Sequence, residues 1–109
     1  MADITLWLPE SDTVTHQAIG KCAEEASELA GICARILIQG LDGVDPKSGV
    51  PNRQALAEEL ADMEAAIGWL FDHLKLDVEQ HNARATRKHS GFAEWQQMLE
   101  AHMEGNPHG

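Results

Sequence analysis

Two long stretches of helical periodicity, separated by a loop rich in glycine and proline, constrain this chain more than any other feature. In residues 13–39 and again in 53–75, apolar residues recur every three or four positions, which is the spacing of one buried helix face. Two helices joined by about a dozen residues can pack antiparallel. The predicted apolar face of the first helix comprises Ile19, Cys22, Ala26, Leu29, Cys33, Ile36 and Leu37, and that of the second comprises Leu56, Leu60, Met63, Ile67, Leu70, Phe71 and Leu74.

Local signals define the ends of both helices. Asp12 or Thr13 is a suitable N-cap for the first helix, and Gly40 is a suitable stop. Residues 40–52 contain three glycines and two prolines, so we expect a loop there. Asn52 is then the expected cap of the second helix.

Two shorter helices are expected after residue 75. Asp77 and Gln80 resemble a capping box, which predicts a helix that continues to about His89. Ser90-Gly91 should break it before a last helix at 92–103. We find no strand candidate of useful length. The prediction is a single all-α domain of residues 1–109, an antiparallel helical bundle of two long and two shorter helices, with an N-terminal arm (1–12), a flexible tail (104–109) and apolar surface that homo-oligomerisation would bury.

The charge balance excludes several classes of partner. The formal net charge is −10 with only 8 basic residues, whereas a nucleic-acid-binding protein usually shows a basic stripe. No apolar run approaches the ~20 residues of a membrane span, and the N-terminus lacks the features of an export signal. We therefore expect a cytoplasmic protein without a membrane or nucleic-acid partner. Cys22 and Cys33 lie too far apart along one helix to bridge and are expected in the core.

Each long helix carries two carboxylates three residues apart, Glu25 with Glu28 and Glu59 with Asp62. This spacing places both groups about 60° apart on one helix face, where like charges repel. Solvated helix faces are one interpretation; a divalent cation shared between the pairs is the other. Four carboxylates are hard oxygen ligands that suit magnesium or manganese. A di-iron bundle would require Glu-x-x-His motifs, and the histidines fall elsewhere.

The motif Lys21-x-x-Glu24-Glu25-x-x-Glu28, followed after a loop by Glu58-Glu59-Leu60-Ala61-Asp62, resembles the MazG family of all-α nucleoside triphosphate pyrophosphohydrolases. The family signature is Glu-Glu-x-x-Glu followed by Glu-x-x-Asp. The resemblance runs from about Lys21 to His89. The stretch from Gln39 to Asn52 looks more like the phage MazZ branch, which resembles dGTP/dATP diphosphohydrolases and would act in the cytoplasm of a bacterium or a phage-infected host.

The resemblance implies hydrolysis of a nucleoside triphosphate to the monophosphate and pyrophosphate. It implies that Glu25, Glu28, Glu59 and Asp62 hold two or three Mg²⁺ ions, with Mn²⁺ as the alternative metal. Glu25 is the first candidate for the base that takes the proton of the attacking water, and Glu24 is the second. The partner is thus a small-molecule nucleotide, and the protein is expected to be a homodimer or a homotetramer.

Five further side chains are candidates for substrate binding. The family often has Asn-x-Lys on its third helix; here the matching segment is Thr86-Arg87-Lys88, so the Asn is missing. Each candidate also has a simpler interpretation. Lys21 would form an ion pair with Glu25, and Arg84 and Lys88 would be solvated charges on a helix. Trp7 would pack in the core, and His16 would lie at the surface. Trp69 is expected to close the pocket or to pack in the core or an interface. A non-catalytic helical interaction module, or a dUTP or phosphoribosyl-ATP pyrophosphohydrolase, remains an alternative function. The candidates are Lys21, Arg84 and Lys88 for the phosphates and Trp7 and His16 for the base.

Overall fold

The computed structural model describes residues 2–105, and this part of the chain is all-helical, as the sequence predicts. It contains α1 (Thr13–Gln39), α2 (Asn52–Leu74) and α3 (Val78–Gly105). No strand occurs within these residues; a single β-bridge joins Val44 to Pro51 in the loop. By internal contacts the chain divides into two units, one that ends at Leu76 and one that begins at Asp77.

The predicted ends of α1 are confirmed. The carboxylate of Asp12 accepts hydrogen bonds from the backbone N–H of Thr15 at 2.9 Å and from its hydroxyl at 2.7 Å, which satisfies donors that the helix leaves unpaired. At the other end, Gly40 has a φ of 84° and donates its N–H to the carbonyl of Ile36. A positive φ strains residues that carry a Cβ, so glycine suits this stop.

The loop between α1 and α2 is held by its own hydrogen bonds. Asp45 accepts from the Ser48 hydroxyl at 2.7 Å, and its backbone carbonyl accepts from the N–H of Gly49 at 2.8 Å. Gly43 lies so close to Asn52 that an added Cβ would be 3.0 Å from the side-chain nitrogen of Asn52. These contacts return the chain to the end of α1, where α2 begins.

The prediction that Asn52 caps α2 is wrong. Pro51 occupies the cap position, and Asn52 is the first helical residue, with no exposed surface. Its side-chain nitrogen donates to the carbonyl of Gly40 at 2.9 Å, and its side-chain oxygen accepts from Nε of Arg35 at 3.0 Å. A buried amide needs partners for both its donor and its acceptor, and Asn52 finds both at the end of α1. Asn52 therefore joins the loop-side ends of the two helices.

A second set of hydrogen bonds joins the opposite ends of α1 and α2. The hydroxyl of Thr15, near the start of α1, lies 2.8 Å from Nε2 of His73 near the end of α2. His73 also lies 3.5 Å from the Asp12 carboxylate. The hydrogen bonds from Thr15 hold the pKa of Asp12 below its usual value, and His73 contributes less. Since the start of one helix meets the end of the other, α1 and α2 are antiparallel.

The buried face of α1 is rotated by about one residue from the predicted face. Ala18 and Ile32 are the buried residues of α1, and Ala66 is the buried apolar residue of α2. Cys33 is exposed, so the prediction that it lies in the core is wrong. Cys22 is half-buried. Small residues let the helices approach closely. α1 carries two adjacent apolar stripes, and helical periodicity alone does not show which of them faces α2. The exposed members of the predicted faces, which we call the outer stripe, are Ile19, Ala26, Cys33 and Leu37 on α1 and Leu60, Ile67 and Leu74 on α2.

The second unit contains one helix where the sequence predicts two. α3 runs unbroken through Ser90-Gly91, so the predicted break is wrong. A glycine inside a helix costs about 1 kcal/mol relative to alanine, which good helix formers on both sides can offset. The predicted cap at Asp77 is confirmed, since its carboxylate accepts from the N–H of Gln80 at 3.0 Å. No residue of α3 is buried. The first two residues of the predicted tail belong to α3, and 106–109 lie outside the described residues.

Within residues 2–105, no helix is both long enough and apolar enough to cross a membrane. The described part of the N-terminal arm, residues 2–12, has no regular secondary structure, and its side chains are exposed. Trp7 is 94% exposed, which excludes a position in the core of this unit.

Replacing Asn52 by alanine tests the junction. We expect Asn52→Ala to lower the free energy of unfolding by about 1–3 kcal/mol, because it leaves the Arg35 Nε–H without its partner and leaves the Gly40 carbonyl with only the longer bond from the N–H of Gly43 at 3.3 Å. Gln54→Ala is the control: Gln54 is exposed and bonds only to Glu58, so its loss should stay within about 0.5 kcal/mol. The measurement is urea denaturation of both variants; equal losses would contradict the proposed junction.

Candidate metal centre

Three of the four predicted acids converge between α1 and α2. Glu25, Glu59 and Asp62 each offer a carboxylate oxygen, and these oxygens lie within 4.8 Å of one another. Glu25 and Glu59 are half-buried, whereas Asp62 is exposed. The antiparallel pairing of two helices that each carry acids in mid-length produces this cluster, as the spacing predicts.

Two of these acids, Glu25 and Glu59, lie on the faces along which α1 and α2 pack, which we call the seam. Glu25 falls seven residues after Ala18 and seven before Ile32, and both of these are buried. Glu59 falls seven residues after Asn52 and seven before Ala66, which are buried as well. Seven residues are close to two helical turns, so each carboxylate projects along the same line as its buried neighbours.

One oxygen of each seam carboxylate lacks a hydrogen-bond partner. Oε2 of Glu25 and Oε2 of Glu59 are buried and unpaired among the described residues. A buried acceptor without a partner loses its hydration and gains nothing in return. A cation between the helices would supply what these two oxygens lack.

The electrostatics of the cluster are those of acids held too close together. Burial raises the pKa of Glu25 above its ordinary value, and the charges of Glu28 and Asp62 raise it further. Burial likewise raises the pKa of Glu59, followed by the charges of Glu28 and Asp62. Both effects disfavour the charged form, and a bound cation opposes both.

Glu28 approaches the cluster from one side. It is not among the three oxygens that meet, but its carboxylate lies close enough to Glu59 to share a hydrogen bond with it when one of the two is protonated. Glu24 is exposed and pairs with Lys21 at 3.1 Å. The alternative interpretation of Lys21 as the ion-pair partner of Glu25 is therefore wrong. The ammonium group of Lys21 pairs with the carboxylate three residues away instead of the one four residues away.

Two pockets flank the cluster. The Trp69 pocket has a volume of about 350 Å³, and the loop-side pocket has a volume of about 260 Å³. Each pocket is lined by acids of the cluster and by one basic side chain, so each could receive part of a ligand held at the acids. The Trp69 pocket is lined by Lys21, Glu25, Asp62, Ala65, Ala66 and Trp69; the loop-side pocket is lined by Glu28, Gly31, Ile32, Arg35, Ala55 and Glu59.

The other predicted substrate contacts are more dispersed. His16 is exposed and lines a depression on α1 together with Lys21 and Glu24. Trp7 is exposed on the arm. Arg84 and Lys88 are exposed on α3, which belongs to the second unit. For these four residues a role in substrate binding stays a prediction.

Sequence reasoning missed two residues of this region. Arg35 lines the loop-side pocket, and the buried Asn52 fixes its Nε. Arg35 lies outside the predicted apolar face of α1, so periodicity alone gives no reason to place it at a site. The available signal was the polar pair itself, one residue near the end of α1 and the other at the start of α2, where antiparallel helices must meet.

The donor set fits a hard divalent cation. The meeting atoms are carboxylate oxygens, with neither histidine nor cysteine in the group, which favours magnesium or manganese over zinc or copper. No protein-family model, curated protein or solved structure matches this chain. The resemblance to the MazG family therefore continues to rest on the motifs.

The raised pKa of Glu59 predicts an unusual pH dependence of stability. Its ordinary pKa is 4.5 and its pKa in the folded chain is higher. Between those values the folded state binds more protons than the unfolded state, so stability falls as pH rises, and above both values the penalty is complete. We expect Glu59→Gln, without divalent ions, to flatten this decline and to melt several degrees higher than the wild type at neutral pH.

Thermal melts in EDTA across this pH range provide the measurement. Glu64→Gln, an exposed acid on the same helix, is the control and should follow the wild type. If Glu59→Gln melts below the wild type at neutral pH, the carboxylates of the cluster do not destabilise the apo protein.

Proposed function

We propose that this chain is a magnesium-dependent nucleoside triphosphate pyrophosphohydrolase of the MazG type, which converts a (d)NTP to the monophosphate and pyrophosphate. Purine deoxynucleotides such as dGTP and dATP are the proposed substrates, by the resemblance to the MazZ branch. The observation that carries the proposal is the convergence of the carboxylates of Glu25, Glu59 and Asp62. Two of these residues, Glu25 and Glu59, each have one buried oxygen without a hydrogen-bond partner among the described residues.

Charge supports a role for metal ions in this activity. A chain with a net charge of −10 would repel a triphosphate, which itself carries about four negative charges. Two or three Mg²⁺ ions, or Mn²⁺, would supply the positive charge at the cluster and activate the attacking water. Glu25, Glu59 and Asp62 are the proposed ligands, with Glu28 as a fourth ligand from its position beside Glu59.

The chain's own side chains would orient the reactants and move the proton. Glu25 is the proposed acceptor of the water's proton, because its raised pKa makes the carboxylate more basic than an ordinary glutamate. Glu24, whose carboxylate pairs with Lys21 at 3.1 Å, is the second candidate. Lys21 itself lines the Trp69 pocket and can contact a phosphate oxygen there.

Contacts with the rest of the nucleotide are part of the proposal, with Lys88 matching the family pattern on its third helix. Arg84 and Lys88 would contact phosphates, and Trp7 and His16 would contact the base. Hydrolysis of dUTP or phosphoribosyl-ATP is the alternative within the same superfamily, and a panel of nucleotides separates these substrates.

A non-catalytic interaction module is the alternative to an enzyme. The exposed apolar side chains favour a role in protein–protein association, which the chain could have in addition to the enzymatic activity. The outer stripe leaves large residues in solvent, among them Leu37 at 87% and Leu60 at 52% exposure. Large apolar side chains that are exposed at helical spacing along one face are typical of a protein interface. We propose that the stripe joins copies of this chain into a homodimer or a homotetramer.

Replacing a seam acid tests the enzyme. Glu59→Ala should reduce pyrophosphate release from dNTPs by more than about a hundredfold, since even changes that only support a metal ligand cost about 10–100-fold. It should also abolish stabilisation by Mg²⁺, which at a hundred times its Kd adds about 2.7 kcal/mol to a protein that binds it only when folded. Glu64→Ala is the matched control. If the wild type releases no pyrophosphate from any nucleotide, the interaction module is favoured.

Light scattering tests the oligomer. With a protomer of 11.9 kDa, the wild type should elute at two or four times this mass, and Leu60→Lys should shift the population towards the monomer because a buried unpaired charge opposes association. Gln54→Lys adds the same charge about 120° away around α2 and should keep the wild-type mass. A monomeric wild type would contradict the proposed interface.

A further inference from the structure

Arg35 lines the loop-side pocket, and a hydrogen bond to Asn52 orients its guanidinium group. The residue is half-buried and shares the pocket lining with Glu28 and Glu59. Its Nε donates to the side-chain oxygen of Asn52 at 3.0 Å. A guanidinium carries five N–H donors, so one bond to Asn52 leaves its outer edge available.

Asn52 cannot easily turn away from Arg35. Its side chain has no exposed surface, and its nitrogen donates to the Gly40 carbonyl at 2.9 Å and approaches the side-chain oxygen of Gln39 at 3.4 Å. The amide oxygen must then face Arg35. The guanidinium is thus oriented before any ligand arrives, which reduces the entropy lost on binding.

No ion pair within residues 2–105 involves Arg35, although two acids line the same pocket. The nearby Asp45 is already engaged: bonds from Ser48 and from the N–H of Lys47 hold its pKa below the usual value, and Arg35 adds only a smaller effect. A half-buried cation without a carboxylate partner beside a pocket indicates an anionic ligand, and a planar guanidinium matches phosphate oxygens in a bidentate contact.

The Trp69 pocket, on the other side of the acids, has a different chemistry. Its cation, Lys21, is already paired with Glu24 at 3.1 Å. The remaining wall includes the ring of Trp69, which is 40% exposed, and the small apolar side chains of Ala65 and Ala66. An exposed indole beside an apolar wall suits stacking of a nucleobase.

We propose that the substrate crosses the acid cluster in one direction, with its pyrophosphate end bound by Arg35 in the loop-side pocket and its base stacked on Trp69. This inference rests on the proposed function and extends it by assigning the two ends of the nucleotide. Arg35 would contact the β- and γ-phosphates, which carry most of the substrate's charge. Asn52 is then a positioning residue for Arg35.

Calorimetric binding of magnesium pyrophosphate provides the first test. Arg35→Gln should weaken pyrophosphate binding by about tenfold or more while binding of magnesium dGMP stays within about twofold of the wild type. Arg53→Gln is the matched control, because Arg53 is an exposed arginine near the same end of α2 that pairs with Asp42 at 3.5 Å. Circular dichroism checks that the variants are folded.

Trp69→Ala provides the reciprocal test. It should weaken dGMP binding and leave pyrophosphate binding unchanged. The opposite pattern, with Arg35→Gln affecting dGMP and Trp69→Ala affecting pyrophosphate, would overturn the direction. So would an unchanged pyrophosphate affinity of Arg35→Gln, or a wild type that binds no magnesium pyrophosphate.

These outcomes are distinct from failure of the proposed function. A wild type that binds magnesium pyrophosphate through Arg35 but hydrolyses no triphosphate would refute the enzyme and retain the anion site. A wild type that hydrolyses dNTPs with an unchanged KM in Arg35→Gln would retain the enzyme and refute the direction.

Discussion

Two half-buried carboxylates between antiparallel helices are the constraint on which the rest of the first unit depends. Glu25 and Glu59 occupy seam positions that their neighbours at seven-residue intervals fill with buried side chains. Repulsion and lost hydration make such positions unfavourable for acids unless a cation binds. The helices therefore need strong attachments elsewhere, and they have them: Thr15 with His73 at one end and Asn52 with Arg35 at the other. The contacts at the two ends of the helix pair offset the unfavourable free energy of the two acids in its middle.

Much of this unit could be predicted from the sequence. The ends of α1 follow from a capping Asp12 and from Gly40, and the meeting of three of the four acids follows from their mid-helix positions. The rotation of α1 could not be predicted, because α1 carries two adjacent apolar stripes, and the burial of Ala18 and Ile32 on one of them is visible only in the structure. The continuous α3 was missed because Ser90-Gly91 weakens a helix without ending it.

The buried Asn52 shows how one polar side chain connects the fold to the candidate site. Sequence rules assign an asparagine at a helix start to capping. Here a proline takes the cap, and the amide is enclosed by the tight turn at Gly43. The same amide sets the direction of Arg35, so the loop between α1 and α2 influences how this side chain lines the loop-side pocket.

The seven-residue intervals around the seam acids have a consequence for how such a chain can change over generations. A point substitution at Ala18 or Ile32 alters packing locally, but insertion of one residue between Ala18 and Glu25 would swing the carboxylate by about 100° relative to that neighbour. The geometry of the acid cluster is thus sensitive to spacing more than to the identity of most residues around it. Length variation in this lineage should accumulate outside α1 and α2, where an added residue leaves the phase of both helices intact.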